Sequence, residues 1–430
     1  MMKKLLVVLV VLAMTVVSSL AFAEVTPSVE MYIRSRSFTN LDFHDKVTDR
    51  AADAQERVRL NFDLKAGDVK GRVTIENDWD TFGRLEAPQG NGQTSPGWTV
   101  VSGVTPTGVS SEGRLNVREA WLDFMVPGTP VQIKAGHMLG QLGNGWFFRS
   151  MKYGSDFWKA FVNTGANTFG LINLKVAENN GKVSDDDEAY IIMDSYKLSD
   201  TSKISVDLTD VKIRGAKVSG PVVTDAMNLG ISFDGKVGPA TLKAEFDMQT
   251  GKDDILVANA TDPKYKGNQI VLQAGMPIND QLSLNATIGR GTGKDVTSTN
   301  SDNEAMMTIL DADPRYTFMY EYKVANPTAG AHAGFANTTA LGLGADFKAS
   351  KSVTVGGSIW LLQSTNKVAN VVSTTAGQTT NDLGQEIDVN IGWKLADNLS
   401  WNWTIGYLMP GDGLGKDTAT GIQGVLTAKF

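Results

Sequence analysis

The sequence predicts an all-β chain closed into a transmembrane antiparallel up-and-down β-barrel of about 18 strands. Three observations carry that reading. Apolar and polar residues alternate with period two, segment after segment, from residue 28 to the last residue. The segments run roughly ten residues, the length that crosses a bilayer at a tilt, whereas strands of a soluble sandwich average about five or six. Short and long connections take turns, as in a barrel with short periplasmic turns and long extracellular loops.

The 430-residue chain opens Met1-Met2-Lys3-Lys4, continues as an apolar run over 5–17 and reaches Ala21-Phe22-Ala23. A basic head, an apolar centre and a small-x-small end make a signal peptide over 1–23, cleaved after Ala23. The barrel then occupies 24–430 as one domain, and loss of Lys3 and Lys4 moves the formal charge from −7 to about −9.

Along the mature chain, Arg57, Arg59, Asn61 and Asp63 alternate with Val58, Leu60, Phe62 and Leu64. Lys243, Glu245, Asp247 and Gln249 alternate with Leu242, Ala244, Phe246 and Met248, and Ser400, Asn402, Thr404 and Gly406 with Trp401, Trp403, Ile405 and Tyr407. A strand sends successive side chains to opposite faces, so each segment has one apolar and one polar side. Aromatics gather toward the ends of the apolar side at Trp79, Phe347, Trp393, Tyr407 and Phe430, where the membrane interfaces would lie.

Walking the alternation places strands at 28–37, 54–64, 71–79, 114–125, 131–138, 157–163, 168–177, 188–197 and 203–211. It continues at 226–235, 240–250, 267–276, 281–290, 338–348, 352–362, 384–394, 399–408 and 421–430. An even count leaves both termini periplasmic, and 16 is the alternative if one strand has been split. The segment 316–324 also alternates, but a strand there would break the parity. The stretch 291–337 is therefore read as one long outer excursion with structure inside it.

Composition narrows the function. The absence of cysteine excludes a disulfide scaffold, a thiolate zinc site and covalently attached haem. A pI near 5.2 opposes a nucleic-acid partner. With three histidines, His44, His137 and His332, and no Ser-His-Asp pattern, no enzyme and no cofactor are expected. The run Gly289-Arg290-Gly291-Thr292-Gly293-Lys294-Asp295 lacks the spacing of a phosphate loop.

With the polar side turned inward, Arg34, Arg36, Arg57, Arg59 and Arg72 form a pore-lining basic cluster on the early strands. Glu245, Asp247, Glu386 and Asp388, with Lys243 and Lys394 among them, form an acidic wall on the later ones. Opposed walls of opposite sign would set a transverse field that favours small polar solutes; the plainer alternative is local ion pairing. The near balance of lumen charge argues against strong ion selectivity. The loop 139–156 carries Trp146, Phe147, Phe148, Arg149 and Lys152, too apolar for a free surface loop. It is expected either to fold inward as a constriction, its deletion raising conductance, or to cap a subunit contact. Asp185, Asp186 and Asp187 are a weak metal candidate, a divalent cation bridging lipopolysaccharide phosphates, set against a plainly solvated acidic run.

The terminal strand Leu426-Thr427-Ala428-Lys429-Phe430 resembles the C-terminal signature of Gram-negative outer-membrane barrels, which implies recognition of Phe430 by the barrel insertion machinery. Gln55-Glu56-Arg57-Val58-Arg59 and Ile133-Lys134-Ala135-Gly136-His137, with Gly140, Gly143 and Gly145 after it, are similar to pieces of the porin and alginate-export-like group. So are Asp382-Leu383-Gly384-Gln385-Glu386-Ile387-Asp388 and Gly406-Tyr407-Leu408-Met409-Pro410-Gly411-Asp412; at the position of His137 that group often has arginine. The resemblance implies a barrel in the outer membrane of a Gram-negative bacterium, in contact with lipid and lipopolysaccharide, with a homotrimer among its assemblies. The expected function is a porin, a water-filled channel for passive diffusion of small hydrophilic solutes and ions. The alternatives are a substrate-specific channel for an acidic saccharide or oxyanion, and a structural or receptor barrel binding a surface partner.

Overall fold

The structure, a computed structural model, describes residues 23–43, 50–81, 115–177, 186–214, 222–255, 262–311, 316–324 and 330–430. Most of the signal peptide, the loop 82–114 and Asp185 therefore lie outside the described residues.

Strands follow the chain as β1 (Glu24–Thr39), β2 (Ala51–Ala66), β3 (Val69–Thr81), β4 (Leu115–Met125), β5 (Val131–Gln141), β6 (Phe148–Asn163) and β7 (Asn167–Ala177). Then come β8 (Asp187–Ser199), β9 (Ser202–Ile213), β10 (Val222–Val237), β11 (Ala240–Ile255), β12 (Asn268–Pro277) and β13 (Leu282–Gly291). The two-residue β14 (Ile309–Leu310) precedes β15 (Thr339–Lys348), β16 (Val353–Ala369), β17 (Thr379–Ala396), β18 (Leu399–Pro410) and β19 (Ala419–Lys429).

All but β14 build the wall. Each pairs antiparallel with its neighbour in the chain, β13 passing over β14 to β15, and β19 returns to β1 from Glu30↔Lys429 to Thr39↔Thr420. Phe430 completes the seam, its N–H donating to the Val29 carbonyl at 2.8 Å and its carbonyl accepting from the Val29 N–H at 2.9 Å. The wall therefore has 18 strands, not 16. Closure matters because an unpaired backbone group in hydrocarbon finds no water to bond.

Wall strands extend past the expected spans, to 18 residues in β17. The extra residues lie mostly at the outer ends, as in β10, β11, β16 and β17. Above the lipid neither face needs to be apolar, so pairing continues where the alternation fades. Within the belt, Leu341, Leu343, Ile359, Leu361, Ile387, Ile405 and Tyr407 are exposed on the outside, and their odd-numbered parity is that of the lipid face.

The core sits inside the barrel. Parts of the stretch 291–337 do not stay outside as an outer excursion: β14 pairs parallel with β6 at Ile309↔Phe148 and Leu310↔Arg149. Segment 316–324 is not a strand but a turn, in which the N–H groups of Lys323 and Val324 both donate to the Met319 carbonyl. Phe318, Met319 and Tyr320 pack with Phe38, Leu362, Leu383, Leu408 and Ala419 of the wall. A second cluster joins Leu142, Phe147, Met306 and Met307 to Leu174, Ile191, Val211 and Ala226. Each buried Phe or Met contributes about 1.5–3 kcal/mol, which holds both segments within the lumen.

Candidate functional site

Three carboxylates latch the inward segments. Between β5 and β6 only 142–147 are outside strands, and Gly143 and Gly145 take φ of 52° and 80°. That left-handed backbone suits glycine and turns successive N–H groups to one side, forming a small anion nest. The Glu245 carboxylate on β11 fills it, accepting from Trp146 N–H at 2.8 Å, Phe147 N–H at 3.2 Å and Asn144 N–H. On β17, Glu386 accepts from the N–H groups of Met319 (2.5 Å) and Tyr320 (2.8 Å), and Asp388 from that of Phe318 (3.3 Å). The two segments meet each other through Trp146 and Tyr316, whose ring centroids lie 6.2 Å apart.

This corrects the expected acidic wall. Glu245, Asp247, Glu386 and Asp388 do face inward, but all four are at most 4% exposed, so they do not border open water. Asp247 is held by Asn228 and Gln269 at 3.0 and 2.8 Å. Lys243 and Lys394 pair with Asp234 and Asp397. The expected loop 139–156 is corrected as well: Phe148, Arg149 and Lys152 are residues of β6, and only Trp146 and Phe147 belong to the short connection. Arg149 binds the buried Asp311 at 2.8 Å, and Asp311 also receives the N–H groups of Met151 and Lys152.

Beside segment 316–324 stands a row of guanidinium groups, in which Arg34 and Arg57 are buried at 7% and 6% exposed and so, against expectation, do not line open water. On β1, Arg34 donates to Gln55 and Arg36 makes a forked contact with Asp53 at 2.8 to 3.0 Å, its other edge reaching the Tyr322 hydroxyl at 3.3 Å. On β2, Arg57 and Arg59 share Glu76, and Arg59 also reaches the Tyr32 hydroxyl. Arg72 is not part of this group: it pairs with Asp63 at 2.7 Å and lies 3.8 Å from Glu119.

A further member escaped the sequence reading. Arg118 lies 3.6 Å from Glu76 and 3.3 Å from Glu119, and donates to the carbonyls of Met151 (2.7 Å) and Lys152 (3.1 Å). Simple alternation groups it with Leu122 and Phe124 on the lipid side. A bulge pairs Thr74 with Glu119 but Ile75 with Val117, leaving Arg118 as the extra residue. The slip in apolar parity between Val117 and Leu122 is the one trace of it in the sequence. Lys323, on the inward segment, also joins the row, its ammonium 4.8 Å from the Phe38 ring and 4.3 Å from the Tyr322 ring.

His137 stands apart, hydrogen-bonded to Asp156 at 2.8 Å. Of the acidic run, Asp186 and Asp187 are described and each has a partner within the protein. Asp186 pairs with Lys175 at 2.9 Å, Asp187 accepts the Arg214 N–H at 2.7 Å, and no metal-holding cluster of His, Asp or Glu occurs among the described residues. Nor is any helix among them long and apolar enough to cross a membrane; the strands do the crossing.

Comparison with known proteins follows the architecture. The alginate export family matches residues 28–423. Among solved structures, the outer membrane protein OpdK of Pseudomonas aeruginosa is similar at TM-score 0.56 and 10% identity, covering 94% of this chain and 98% of its own. OccK2 (OpdF) of the same organism, in complex with glucuronate, is similar at TM-score 0.56 and 11% identity, covering 95% and 96%. No curated protein matches. With the match running over nearly the whole wall, the chain belongs to the alginate export family and is a porin of the Gram-negative outer membrane.

Proposed function

We propose that the channel favours small acidic solutes, which pass along Arg36, Arg59 and Arg118, backed by the buried Arg34 and Arg57 and faced by Lys152 and Lys323. The carrying observation is the sidedness of the lumen. The later wall spends its carboxylates on backbone N–H groups behind apolar segments, while the early wall keeps its guanidinium groups. An arginine held along one edge by Asp or Glu still has further N–H donors for a passing carboxylate. Arg72, nearer the periplasm with Asp63, would meet the solute after the narrow zone. OccK2 (OpdF), of like fold, was crystallised with glucuronate, which makes that acid the first probe. In planar bilayers under a KCl gradient, the reversal potential is expected to take the sign of an anion-preferring pore. Vesicles carrying the protein are expected to admit glucuronate faster than glucose. A cation-signed potential, or equal uptake of the two sugars, sinks the proposal.

The same reading extends to partners. Phe430 lies 68% exposed on the outside of the seam, where insertion machinery could bind it. The Phe430→Ala variant is expected to reach the outer membrane in reduced amount, seen as loss of the heat-shifted folded band; a wild-type amount removes Phe430 from that role. Lipopolysaccharide about the outer rim and a homotrimer complete the proposed setting, and native mass in mild detergent separates a trimer from a single barrel.

A further inference from the structure

Lys323 differs from four arginines of the row it joins. Arg36, Arg57, Arg59 and Arg118 each lie within ion-pair distance of a carboxylate, which offsets their charge locally. Lys323 has no carboxylate at that distance among the described residues; the rings of Phe38 and Tyr322 support its ammonium instead. It is also carried by the inward segment rather than the wall, placed there by the Glu386 latch on Met319 and Tyr320. A cation offset by nearby carboxylates adds little to the field a passing ion feels, whereas an unpaired one in a narrow passage adds its full charge.

We infer that Lys323 is the specificity-determining residue of the passage, its unpaired ammonium supplying the preference for anions. The inference rests on the acidic-solute reading and names the group that sets it. The groups facing Lys323 are Arg34 and Arg36 from β1, Asp53 from β2 and Lys152 from β6, with Tyr322 beside it. Burial pushes the Lys323 ammonium down to about 7, the charges of Arg36, Arg34 and Lys152 adding to the effect and that of Asp53 opposing it. Raising the pH through neutrality therefore removes the charge, and lowering it restores the charge.

The test measures the anion-to-cation permeability ratio of the full-length protein in planar bilayers between about pH 6 and about pH 8.5. The wild type is expected to lose more than half of its anion preference across that range. Lys323→Arg, which stays charged, is expected to keep the preference throughout, and Lys323→Gln to lack it throughout, each forming open channels. A preference in Lys323→Gln equal to that of the wild type, or a titration that persists in Lys323→Arg, overturns the inference and leaves the acidic-solute reading standing. A wild-type channel with no anion preference even at the acid end overturns both.

Discussion

Replacing residues 316–324 by a short Gly-Ser bridge is expected to raise single-channel conductance severalfold and to abolish anion preference. An 18-stranded wall encloses a lumen wide enough for water, and in this chain much of that width is occupied by folded polypeptide. The segment brings Phe318, Met319, Tyr320 and Tyr322 into the lumen, all at most 7% exposed, and seats them against β1 and β16 to β19. Its removal also takes away Lys323, leaves Glu386 and Asp388 without their N–H donors and lets water reach them. The bared carboxylates then face the arginine row, so the field should even out as the passage widens. The double variant Glu386→Gln, Asp388→Asn is the milder form. It keeps the side-chain volumes but weakens the anchor, because a charge-assisted bond to N–H is roughly twice as strong as a neutral one. Its expected signature is a wild-type mean conductance with more frequent excursions to larger levels. Unchanged conductance in the deletion would place the segment outside the current path.

That experiment turns on what the sequence could and could not disclose. The wall was legible because lipid on one side and a wet interior on the other impose period two on every strand. Each of the 18 spans read from alternation corresponds to a strand. The same logic misreads 316–324, where Tyr316, Phe318, Tyr320, Tyr322 and Val324 alternate with Thr317, Met319, Glu321 and Lys323. There Met319 is as buried as Phe318, and Glu321 receives the N–H of Tyr316, so the pattern reflects burial on all sides of a turn. Alternation also turned Glu245 and Glu386 inward without saying whether water or backbone would meet them. That answer depends on contacts across some 70 to 100 residues of chain, as in Met319 to Glu386 or Asn144 to Glu245, and no local spacing encodes it. Arg118 was hidden for a different reason: one bulge residue reverses the face on which a strand's parity is read.

Glu76→Gln is expected to make the barrel less stable and its channel more anion-selective at once. Glu76 is 4% exposed and lies within 3.6 Å of both Arg57 and Arg118 while hydrogen-bonding Arg59. One buried carboxylate thus offsets part of the charge on three guanidinium groups from β2 and β4. Removing one partner of a buried ionic network typically costs about 3–5 kcal/mol, because the remaining charges keep their burial without the attraction. Arg118 retains Glu119 and the carbonyls of Met151 and Lys152, and Arg59 retains Glu30 and Tyr32, so the loss should fall short of preventing assembly. The temperature at which the folded band gives way to the unfolded one on gels reads the first effect, and the KCl reversal potential reads the second. Ordinary loss of packing would lower that temperature without moving the potential toward the anion side. A lowered temperature with an unmoved potential would therefore make Glu76 a structural strut and remove the arginine row from the path of ions.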